Sequence, residues 1–118
     1  MEQKDKFSLT NIVIIIDEIR ETVTKLGNSF FSFENDSDYQ KSVAFSLTQV
    51  GEMIRHNLSD ELKEKYADIS WDHYRLFRND LVHAYNTIDL KEIWYFVQND
   101  LKPLEEYIRY ILVEEQGR

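Results

Sequence analysis

The chain has no cysteine, one proline, three glycines, no long apolar run and no excess of basic charge. Each shortage excludes something. Without cysteine there is neither a disulfide framework nor a thiolate metal site. Glycine and proline are too scarce for the tight turns of a many-stranded β-domain, so an all-α domain is expected. The apolar run at residues 12–16 is far too short to cross a bilayer. Residues 1–6 carry charges of both signs and do not form a signal peptide. A soluble, cytoplasmic protein with no membrane partner is the expectation. A net charge of −8 denies the chain the basic footprint of a nonspecific duplex-DNA binder. Any nucleic acid must be met locally, by a few cations in a cleft. There is also no Gly-rich phosphate loop, no serine nucleophile elbow and no zinc-protease motif.

What is present suits one helical domain spanning residues 1–118. Hydrophobic residues make up 42% of the chain, enough for a single core. Ile12, Ile15, Ile16, Ile19, Val23 and Leu26 recur at helical spacing and predict a first helix over 7–26, stopped by Gly27-Asn28. Residues 30–34 read as an aromatic loop folding back onto the bundle. Ser37-x-x-Gln40 resembles a capping box opening a second helix that runs to about Asn57. Gly51 inside that helix costs roughly 1 kcal/mol against alanine, and its simplest explanation is close approach of another helix. A short helix follows over 61–66, and Ser70 caps one that ends near Tyr85. Asp89-x-x-Glu92 opens the last helix, which should kink near Asp100 because Pro103 cannot sit in a helix interior. The expected architecture is an up-and-down bundle of four long helices plus a short one, the last kinked near Pro103.

The chemistry-bearing segment is Arg78-Asn79-Asp80-Leu81-Val82-His83-Ala84-Tyr85. Arginine binds phosphate bidentately, and histidine moves protons near neutral pH. The two aimed at one phosphate can cleave RNA without metal. Offset five is about 140° around a helix, so Arg78 and His83 do not share a face, whereas Asn79 and His83 do. A C2 dimer in which two copies of this helix meet would line one cleft with both. Glu52-x-x-x-His56 does not form the repeated Glu-x-x-His of a di-iron bundle, so neither a metal nor another cofactor is expected. His73 reads as a surface residue.

With these flanks the chain resembles the HepT family, the HEPN-domain toxins of HepT–MNT toxin–antitoxin pairs. The resemblance runs from about Ile12 to Ile111. It rests on Val50-Gly51-Glu52, on Ile69-Ser70-Trp71, on Arg78-x4-His83-x-Tyr85, and on Ile88-Asp89, Trp94 and Asp100-Leu101-x-Pro103. It departs at Met53, where the family often has alanine. The resemblance implies a metal-independent endoribonuclease working as a homodimer on RNA such as tRNA or mRNA. Arg78 and His83 would be its active-site residues, with Asn79 beside the arginine. It further implies an MNT-type nucleotidyltransferase antitoxin that transfers AMP to Tyr85. The alternative is a non-catalytic helical binding partner of such a nucleotidyltransferase.

Overall fold

The computed structural model describes residues 1–117. It is all-helical, with no strand among the described residues. The β-branched run at residues 12–16 is therefore helix. It lies in α1 (Gln3–Leu26), whose Leu9, Ile12, Ile16 and Ile19 are the buried spine of the molecule. Next come α2 (Phe30–Glu34), α3 (Ser37–Glu52), a π-turn over Met53–Asn57, α4 (Asp60–Lys65), α5 (Trp71–Ala84), α6 (Leu90–Asn99) and α7 (Leu101–Gln116). α3 packs on α1 and α5, and α7 packs on α1 and α6. The four-long-helix bundle is as expected, with α6 and α7 together as its last helix. The kink is there too. The chain breaks at Asp100, and the last helix is bent by 37°. Pro103 then falls in the first turn of α7, where its missing N–H costs nothing. The Tyr74 hydroxyl donates to the Asp100 carbonyl at 2.8 Å and ties the break to α5. Burial pushes that hydroxyl up to about 12.

Three local expectations differ from the structure. The aromatic segment is a short helix, not a loop, capped by Ser29, whose side chain accepts from the Ser32 N–H. Its Phe33 is fully buried against Tyr39 and Trp94, so the segment does fold back. The cap of α3 is Asp36, which accepts from the Tyr39 N–H at 3.0 Å; Ser37 is the first helical residue, and Gln40 instead donates to the Phe33 and Glu34 carbonyls. Finally, α1 begins at Gln3, four residues earlier than its apolar period suggests. The polar first turn is held by tertiary contact. Buried Asp5 accepts from both the backbone N–H and the hydroxyl of Ser59, at 2.8 and 2.6 Å, while the same hydroxyl caps α4. A buried carboxylate with two donors is satisfied, and an apolar periodicity has no means of showing it. No helix among the described residues is long and apolar enough to cross a membrane.

Candidate active site on the fifth helix

Helix α5 starts at the Ser70 cap, whose hydroxyl accepts from the His73 N–H, and buries Trp71, Tyr74 and Leu81 toward the core. That packing fixes where every other residue of α5 points, at 100° per residue. Arg78 falls on the flank facing α3. His83, Leu76 and Asp72 fall on the outward face, and Asn79 lies between Arg78 and His83.

Arg78 is the best-anchored side chain of the motif. Its side chain is only 15% exposed. Its stem crosses α3 at Gly51: a Cβ on that glycine would lie 2.2 Å from the Arg78 Cβ and 2.8 Å from its Cγ. Glycine is required there because no side chain fits between the two helices, which bears out the close-approach reading. Beyond the crossing, Arg78 Nη2 lies 2.7 Å from Glu52 Oε2, and Nη1 donates to Asn79 Oδ1 at 3.0 Å. Buried Arg78 Nε and Glu52 Oε2 make no good hydrogen bond. The 2.7 Å approach is thus a close charge contact that lies off the hydrogen-bond direction.

Glu52 also has a second partner. Its Oε1 lies 3.1 Å from His56 Nε2. The spacing Glu52-x-x-x-His56 therefore serves a chain of side-chain contacts, with Glu52 shared between His56 and Arg78. Glu52 is the residue that reasoning from the sequence missed as a site residue. Its signals were its place in Val50-Gly51-Glu52, on which the resemblance rests, and its position next to Gly51, because whatever crosses a helix at a glycine also passes that glycine's neighbour.

The structure thus brings Arg78 and Asn79 together but not Arg78 and His83. His83 is exposed and pairs with no side chain among the described residues. Tyr85 follows the last turn of α5, half-buried against the core, and its hydroxyl forms no hydrogen bond among those residues. Asp80 is exposed. His73 is half-exposed, but it is more than surface decoration: its Nε2 sits 3.0 Å from Asp100 Oδ2 and its ring stacks on Phe96. Two cavities, of about 430 and 410 Å³, lie elsewhere, and neither is lined by Arg78, Asn79, His83 or Tyr85. In one chain the motif is a surface. Leu76 and Val82 stand beside it on α5, both about half exposed.

Comparison with known proteins adds to this geometry. A family model described as "Ribonuclease HepT-like" matches residues 12–111. A Methanocaldococcus jannaschii protein named "Putative RNase MJ0127" is 34% identical over 93 residues, covering 75% of this chain and 76% of that one. A Thermococcus cleftensis protein named "Probable ribonuclease HepT" is 28% identical over 105 residues, 89% of this chain and 93% of its own. No solved structure matches the chain significantly.

Proposed function

The chain belongs to the HepT-like ribonuclease family, and from that premise we propose that it is a metal-independent endoribonuclease whose active site forms where two copies of α5 meet. The observation that carries this reading is the division of labour on one helix: Arg78 is locked in place at the α3 crossing, while His83, 140° away, is exposed and unpaired among the described residues. In a C2 pair the same surface patch faces itself. The half-exposed Leu76 and Val82 are apolar surface that such a contact would cover. Two outward His83 rings and two Arg78 guanidiniums would then line one cleft.

The reaction is a transphosphorylation of single-stranded RNA, tRNA or mRNA. The ribose 2′-oxygen attacks the adjacent phosphorus as its proton passes to a neutral His83. The P–O5′ bond breaks, and the leaving oxygen takes a proton from a protonated His83. The products are a 2′,3′-cyclic phosphate and a 5′-hydroxyl. Arg78 stabilises the charge that builds on the non-bridging oxygens, and Asn79 holds one guanidinium nitrogen. Metal has no step here. The test is purified chain, free of partner proteins, incubated with a defined tRNA in EDTA. Cleavage leaving cyclic-phosphate ends is expected. A folded, unmodified chain that cleaves nothing would favour the non-catalytic binding partner instead.

Regulation follows from Tyr85, two residues beyond His83. A nucleotidyltransferase antitoxin of the MNT type would transfer AMP from ATP to its hydroxyl: the Tyr85 oxygen bonds the α-phosphorus, its proton is lost, and the bond to the leaving pyrophosphate breaks. The added phosphate and adenosine would repel and block RNA phosphate beside the cleft. Tyr85→Phe is expected to take up no AMP from such a partner while keeping its cleavage. AMP on the variant, seen by intact mass, would remove Tyr85 from this role.

A further inference from the structure

An arginine meant for phosphate is a poor candidate for a standing ion pair, because a carboxylate competes with the ligand. Arg78 nevertheless has one, and it is built with care. Gly51 lets the arginine stem lie against α3, and the next residue, Glu52, meets the guanidinium at 2.7 Å. Glu52 is itself held from its other oxygen by His56, 3.1 Å away in the π-turn. The guanidinium therefore donates to Asn79 from Nη1 and stands in close charge contact with Glu52 at Nη2, with its Nε buried.

We propose that Glu52 is the positioning residue of the ribonuclease site, fixing the Arg78 guanidinium so that its outward N–H groups meet the phosphoryl oxygens as charge develops. The proposal rests on the ribonuclease reading above. Glu52 touches no reacting atom and acts only through Arg78. A residue that orients the transition-state contact, and costs some ground-state attraction, should affect kcat and leave KM nearly alone.

Glu52→Gln keeps the side chain's size and one acceptor oxygen and removes the charge. Its expected result, in single-turnover and steady-state cleavage, is a kcat about 10- to 100-fold lower, the scale of a small misplacement of a catalytic group, with KM within about twofold. Because the effect runs through Arg78, adding Glu52→Gln to Arg78→Ala should cost nothing further. A faster enzyme with a lower KM would mean that Glu52 masks Arg78, and would overturn the proposal. So would a loss that multiplies with that of Arg78→Ala, or wild-type rates. A measurement without RNA separates this from failure of the ribonuclease reading. In ¹⁵N spectra, the Arg78 Nη groups, assigned by their loss in Arg78→Lys, should rotate slowly in the wild type and average in Glu52→Gln. Equal rotation in both proteins rejects the positioning role even if the chain cleaves nothing.

Discussion

His83→Ala is expected to lower RNA cleavage by about 10²–10⁴-fold, the usual contribution of one acid–base group, and Arg78→Ala by about 10²–10³-fold, that of one charge-stabilising group, without a comparable fall in stability. His83 is exposed and pairs with no side chain among the described residues, which makes its variant the cleaner one, since truncation there strands none of those residues. Arg78→Ala also leaves Glu52 without its guanidinium, so its melting midpoint must be recorded beside its rate. The two variants can further be set against each other. If one Arg78 and one His83 from opposite copies are enough in the shared cleft, a mixed dimer of the two inactive proteins still holds one of each there. Subunit exchange between them should then restore a substantial fraction of the activity. Restored cleavage would not occur if both groups serve from the same chain. Two purified single variants that cleave like the wild type would end the proposed mechanism.

The helices were legible because their signals are local. Apolar spacing found α1, α3 and the last pair of helices, and the caps Ser70 and Asp89 are as read, each accepting from a backbone N–H of the helix it opens. Pro103 marked the break at Asp100 for a steric reason that needs no neighbour. What stayed hidden depends on contacts across the fold. Asp5 extends α1 only because Ser59 lies 54 residues away in sequence and beside it in space. Phe30–Glu34 is a helix because Phe33 has Tyr39 and Trp94 to bury against. The site divides the same way. The angular separation of Arg78 and His83 follows from helix geometry alone. The pairing of Arg78 with Glu52 needed the α3–α5 crossing, and the sequence held only the trace of it in Gly51.

That crossing is where the second large effect is expected. Gly51→Ala should destabilise the protein and disable the site together. In a helix interior, alanine would ordinarily gain about 1 kcal/mol over glycine. Here the new methyl would sit 2.2 Å from the Arg78 Cβ, 2.8 Å from its Cγ and 3.2 Å from the Tyr74 carbonyl oxygen. None of these is the free end of a flexible side chain, so the helices must part or Arg78 must leave its rotamer. Overpacking of this kind costs about 1–3 kcal/mol, and three close contacts at once put it at the upper end, more than the helical gain. The melting midpoint therefore falls. Cleavage falls further than stability requires, by roughly 100-fold, because a shift of about 1 Å at a positioned group has that effect. Assaying well below the melting midpoint, where every molecule is folded, separates the two losses. A Gly51→Ala protein with unchanged melting and unchanged rate would show that α3 and α5 do not meet this closely, and the account of how Arg78 is held would fall with it.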